Sequence, residues 1–153
     1  VERSRGLGDV YKRQLLQLDA HRPADWHLPT AIRLFDTAME KGWDAAHGGL
    51  VYGYAPDGSF ADAHKYFWVQ AEALAAAWRL YMRTGEARYR DDYHRLWAWS
   101  WDHLIDHEHG AWFRITSREG QKVEPYKSPA GKTDYHTMGA CWDVLSVMQG
   151  NDS

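Results

Sequence analysis

Two long amphipathic runs, joined by little more than Thr84-Gly85, limit what this chain can become. Over residues 65–83, Phe67, Ala71, Leu74, Trp78 and Tyr81 recur at four, three, four and three positions, the stripe of a 3.6-residue period. Over residues 86–104, Tyr89, Tyr93, Leu96, Ser100 and Leu104 mark one side, and Trp97 and Trp101 widen it. Helices of this length with so short a connection must turn back on each other as antiparallel neighbours.

The flanking segments repeat the theme. Leu15 to Leu18 reads as the tail of a helix. Asp25 is placed to cap a helix reaching about Lys41, with Leu28, Ile32, Phe35 and Met39 as its apolar stripe, Pro29 in its opening turn and Gly42 at its end. Pro56-Asp57-Gly58 between short β-favouring runs predicts a hairpin across residues 48–60. A second is predicted from residues 110–115 through a turn at 118–120 to Lys122-Val123. After Ser128-Pro129-Ala130-Gly131, a last helix starts near Thr133 or Asp134, either a good N-cap, and carries Ala140, Val144 and Val147 on one stripe. Gly42-Trp43-Asp44 followed by Gly48-Gly49-Leu50-Val51-Tyr52 finds an echo in Asp106-x-Glu108-x-Gly110-Ala111-Trp112-Phe113. Each puts an acid and small residues just before an aromatic-containing strand. Helix, hairpin, helix pair, hairpin, helix is the pattern of an all-α toroid built from helical hairpins.

Composition narrows the function classes. Nine Trp and nine Tyr exceed what a core of this size needs, and flat rings suit the apolar faces of sugars. The net charge of −3 is spread without blocks of one sign, which argues against a nucleic-acid partner. No apolar run approaches the roughly 20 residues that cross a bilayer. One cysteine, Cys141, read as a small core residue, cannot form an internal disulfide, so a reducing, cytoplasmic setting is expected.

Residues 4–14 read differently from the rest. They back-translate onto a transposase-based sequencing adaptor with its mosaic end, so residues 1–14 are expected to be a library artefact and residues 15–153 the protein proper.

Several stretches together resemble the N-acylglucosamine 2-epimerase superfamily, which includes cellobiose 2-epimerases and aldose–ketose isomerases of mannose and sulfoquinovose. They are Gly42-Trp43-Asp44 with Gly48-Gly49; Lys65-Tyr66-Phe67-Trp68-Val69-Gln70-Ala71-Glu72-Ala73; Leu80-Tyr81 with Thr84-Gly85 and Tyr89; His103-Leu104-Ile105-Asp106 with Gly110-Ala111-Trp112; and Lys132-Thr133-Asp134-Tyr135-His136. The resemblance implies a partial (α/α)6 barrel, its C-terminal part, with short hairpins at one end. Lys132 to His136 is closer to the isomerase branch. The cellobiose branch usually carries a Trp five residues before this histidine, where the chain has Gly131. The family's other catalytic histidine, in Gly-His-x-x-Glu-Trp, would precede Leu15-Leu16, where the leader stands. A third of a closed barrel should also expose apolar surface, so the 153 residues alone are expected to be inactive and unstable or aggregated.

Isomerisation and 2-epimerisation both begin with loss of the proton next to a carbonyl, which needs a positioned base. His136, in the first turn of the last helix, sits where the dipole disfavours imidazolium and leaves a neutral ring to accept that proton. By resemblance it is a catalytic histidine. Trp68 and Glu72, one turn apart, share a helix face; they are candidates for packing on the sugar and for binding its hydroxyls or orienting a base. His103 and His107 have helical spacing and His109 lies near, but no HExxH pattern is present and the family uses no metal or other cofactor, so solvated loop histidines are expected. The expectation is a monosaccharide isomerase such as one converting D-mannose to D-fructose. The alternatives are an N-acylglucosamine or cellobiose 2-epimerase or, in another class, an α/α-barrel glycoside hydrolase with paired carboxylates or a carbohydrate-binding module.

Overall fold

The computed structural model describes residues 7–127 and 135–150, with the backbone alone for 7–10. Among these residues lie helices α1 (Leu7–His21), α2 (His27–Gly42), α3 (Phe67–Thr84), α4 (Ala87–His103) and α5 (Tyr135–Met148). Between them run strands β1 (Gly53–Tyr54), β2 (Phe60–Asp62), β3 (Lys65–Tyr66) and β4 (Ile115–Thr116). The expected caps Thr133 and Asp134, with Gly131 and Lys132, lie outside the described residues. No described helix is long and apolar enough to cross a membrane.

α3 is the hub. It packs on α1, α4 and α5, while α2 packs on α1. Ion pairs between α1 and α3 (Arg13–Glu72, Asp19–Arg83) and between α3 and α5 (Glu72–His136, Arg79–Asp143) advance together along the chain. The three helices are therefore parallel. The short connections at residues 22–26 and 85–86 return α2 and α4 in the opposite sense. This is a helical fold with short hairpins, arranged as part of an α/α toroid. Every residue from Val69 to Ala77 is buried, so α3 is enclosed on all sides rather than along one stripe. Its alanines let neighbouring backbones approach; Gly85, at φ 74°, ends it in the left-handed conformation that a glycine C-terminus favours.

Several expectations need correction. Lys65 and Tyr66 are not the start of a helix: they form β3 and pair with Thr116 and Ile115 of β4. The second hairpin survives as a short pairing, the Thr116–Lys122 bridge with Val123 N–H donating to the Ile115 carbonyl, while the other edge of β4 pairs with β3. Asp25 does not cap α2; Trp26 stands at that position and no side chain caps it. Trp101 is exposed, and the buried indole of α4 is Trp99, which donates Nε1–H to the His47 carbonyl at 2.9 Å. Cys141 is exposed as well. It lines an apolar cleft of about 220 Å³ with Tyr93, Trp97, Trp112 and Val144. α5 buries only the side facing α3, leaving Met138 and Trp142 (75% exposed) open.

The sequence echo is a structural repeat. In the first loop the Gly48 amide donates to the Asp44 carbonyl, Asp44 N–H to Gly49 and Val51 N–H to Gly42. In the second, Gly110, Asp106 and Phe113 donate to Asp106, Ala111 and Leu104 in the same pattern. Bridges Trp43–Leu50 and Ile105–Trp112 close the two loops. Both turns need two successive left-handed residues: Gly48 and Gly49 at φ 68° and 74°, Gly110 and Ala111 at 71° and 65°. Substitution should therefore act in opposite directions. Gly49→Ala puts a Cβ 2.7 Å from the Trp99 ring at a positive φ and should cost about 2–5 kcal/mol. Ala111→Gly should gain up to about 1 kcal/mol, relief of strain exceeding the added chain entropy. Urea unfolding of the two variants checks both signs.

Candidate active site

β3 delivers the chain directly into α3, and its position is fixed by a buried charge cluster. Lys65, fully buried, lies 3.4 Å from the Asp44 carboxylate and donates from Nζ to the Arg118 carbonyl at 2.5 Å. Arg118 donates through two nitrogens to Asp44, at 2.8 and 3.3 Å. Burial alone would push the Asp44 carboxyl up. Hydrogen bonds from Arg118 and the Ala46 amide, with the charge of Lys65, overcome that and hold it well below the usual carboxylate range. Desolvation pushes the Lys65 ammonium down, with Asp44 opposing.

A depressed folded value means stability that is complete above the unfolded carboxyl's pKa of about 4 and lost as pH falls toward the folded value. Asp44→Asn should accordingly be less stable than the parent at pH 7. The gap should narrow as the pH drops below about 4, which urea melts across that range would show.

Gln70 makes a second tie. Its side-chain amide accepts the Leu50 N–H at 2.9 Å and donates to the Leu50 carbonyl at 2.7 Å, both buried. The first repeat loop is thereby fastened to α3 between Trp68 and Glu72. Sequence reasoning missed this role, although a glutamine inside so apolar a run is the kind of residue that must find backbone partners when buried.

The structure brings together all three residues singled out from the sequence. His136, in the opening turn of α5, donates from Nδ1 to Glu72 Oε1 at 2.8 Å; a carboxylate can only accept, which sets the direction. Glu72 is fully buried and the His136 side chain is 25% exposed. The Trp68 ring lies 5.7 Å from the imidazole and tilted 36° to it, and Phe67 meets it edge-on at 6.2 Å. Tyr52 extends the aromatic surface, 5.9 Å from Trp68 and 4.4 Å from Tyr66.

A residue set aside with the leader completes the group. Arg13 Nε lies 3.2 Å from Glu72 Oε2, both side chains buried, with the guanidinium 5.5 Å over the Tyr135 ring. Gly139 makes room for it, since a Cβ there would sit 3.3 Å from Nη2. α1 runs unbroken through residue 14, where the leader was expected to end.

The other histidines go elsewhere. His103 stacks on Trp99 at 4.9 Å, and His107 stacks on Trp101 at 4.7 Å with Nε2 2.9 Å from the Trp101 carbonyl. No group of three or more metal-binding side chains occurs among the described residues.

Chemically, a buried carboxylate holding one imidazole nitrogen fixes the tautomer. Nε2 is then the atom able to take a proton, and the imidazolium so formed is stabilised by the same carboxylate.

Comparison with known proteins gives the family. The D-mannose isomerase of Marinomonas mediterranea is 54% identical over 138 residues, covering 90% of this chain and 35% of that protein. A crystal structure of D-mannose isomerase superposes with a TM-score of 0.90 at 53% identity, over 93% of this chain and 36% of the other. A GH76 α-mannanase of Bacteroides thetaiotaomicron shares the fold at 15% identity and TM-score 0.72, covering 97% of this chain and 45% of its own. The chain thus spans about a third of the length of the isomerases it matches. The family model for N-acylglucosamine 2-epimerase (GlcNAc 2-epimerase) matches residues 11–140, taking in Trp68, Glu72 and His136, and the chain belongs to that family.

Proposed function

We propose that this chain is part of a sugar isomerase that interconverts D-mannose and D-fructose, with His136 as a proton-transfer group. The observation that carries the reading is the Glu72–His136 hydrogen bond beside the Trp68 ring, in a chain so similar to D-mannose isomerases.

In the open-chain aldose, Nε2 of His136 removes the proton on C2. The electron pair moves into a C1–C2 double bond and the carbonyl oxygen O1 becomes the enediolate oxygen. Return of a proton to C1, with transfer of the O2 proton to O1, leaves a carbonyl at C2, the ketose. One hydrogen has moved from C2 to C1 and one from O2 to O1, so no electron carrier is needed. Return to the opposite face of C2 would give the epimer, which makes a 2-epimerase the neighbouring alternative. Glu72 keeps Nδ1 protonated before the transfer and offsets the imidazolium charge after it. Trp68 offers an apolar face to the sugar ring. Glu72, shared between His136 and Arg13, is badly placed for the free acid–base work a glycoside hydrolase asks of its carboxylates. The single cysteine supports a cytoplasmic setting.

The test is a graft. Residues 15–150 replace the matching third of the Marinomonas enzyme, and mannose–fructose interconversion is followed. Retained turnover is expected. A folded graft that binds mannose but converts none of it would overturn the reading, and release of sugar from mannosides would favour the hydrolase.

A further inference from the structure

α3 and α5 are held by two polar pairs of identical spacing. Glu72 meets His136, and seven residues further along both helices Arg79 meets Asp143. The second pair is two-pronged, Nε to Oδ2 at 2.7 Å and Nη2 to Oδ1 at 2.5 Å, and largely buried. Gln17 of α1 donates to the same carboxylate at 3.3 Å. Around the pairs the seam consists of Ala71 and Ala75 on one helix and Ala140 and Val144 on the other, all buried.

A seam of this kind brings backbones close but specifies register poorly. Methyl groups present shallow ridges, and a slip of one turn, about 5.4 Å, would still bury small side chains against small side chains. A planar guanidinium gripping a carboxylate at two points tolerates no such slip. Such a buried pair is weak as a source of stability, and setting register is among its best-attested uses.

We propose that Arg79 and Asp143 are positioning residues for the catalytic pair: they fix the sliding register of α5 against α3 and so hold His136 Nδ1 on Glu72. The proposal rests on His136 being the base only for its functional meaning. The contact it predicts can be read without turnover.

The experiment is nitrogen-15 NMR of the histidine rings in the grafted enzyme, with His136 assigned by its loss in His136→Gln. The parent ring should be protonated on Nδ1 and show a downfield, slowly exchanging ring N–H. Replacing the ion pair by apolar side chains of similar reach, Arg79→Met with Asp143→Leu, should abolish that resonance and return the ring to a mixture of tautomers. The exchanged pair, Arg79→Asp with Asp143→Arg, should restore it. Arg79→Lys, which keeps the charge but not the fork, should leave it weakened.

An apolar double variant with native helix content and an unchanged His136 signal overturns the proposal. If that variant does not fold, an unchanged signal in Arg79→Lys, or no recovery in a folded exchanged pair, overturns it equally. A parent ring protonated on Nε2 would overturn it at the first step. Failure of the isomerase reading looks different: the ring signals behave as described while the graft forms no fructose.

Discussion

His136→Gln in the grafted enzyme is expected to lower kcat by about 10²–10⁴-fold, the usual contribution of a positioned acid–base group. KM for mannose should stay close to that of the unsubstituted graft, because the apolar contact offered by Trp68 is untouched. Glutamine approximates the reach of the imidazole and can donate to Glu72, so the α3–α5 contact is retained while the proton acceptor is lost. The same variant should lose exchange of the C2 proton with deuterated solvent, which separates a failure of proton abstraction from a failure of product release. Turnover equal to the graft's would remove His136 from the mechanism.

The second large effect is on stability. Asp143→Ala removes the carboxylate that Arg79, one-tenth exposed, grips at two points, and is expected to cost about 3–5 kcal/mol. For a chain of this length that corresponds to a fall in Tm of roughly 6–20 °C. The loss comes from leaving a buried cation without its carboxylate rather than from the net worth of the pair. The Arg79→Met/Asp143→Leu double variant should therefore recover most of it. Thermal melts of the three proteins decide the matter, and a single variant no less stable than the double would contradict the account.

Much of this architecture could be read from local pattern. The Thr84-Gly85 break fixed two antiparallel helices, and it did so because the left-handed residue required there is a glycine whose spacing agrees with the apolar stripe on either side. Pro56-Asp57-Gly58 placed the first hairpin for the same local reason. Trp68, Glu72 and His136 stood out through their motifs, and the structure brings them together. What was not legible depends on partners distant in sequence. Lys65 and Tyr66 look like a helix start until β4 pairs with them across some fifty residues. Trp99 and Trp101 are indistinguishable by composition, and only the His47 carbonyl and the repeat-loop glycines make Trp99 the buried one. Cys141 reads as core because its helix is apolar nearly all round, whereas α5 has one packed side. The Arg79–Asp143 pair, 64 residues apart, carries no local signature at all.

Gly139 bears on the packing of the site in a way its own chemistry would not suggest. A hydrogen in place of a side chain opens a notch on α5 just wide enough for the Arg13 guanidinium to lie alongside Glu72. A methyl group there would sit 3.3 Å from Nη2, and the guanidinium would have to give way by a few tenths of an ångström. The Arg13–Glu72 contact, 3.2 Å with glycine in place, would loosen accordingly. The packing of the Arg13–Glu72–His136 group is thus coupled to one absent carbon atom, three residues from the histidine along the same helix.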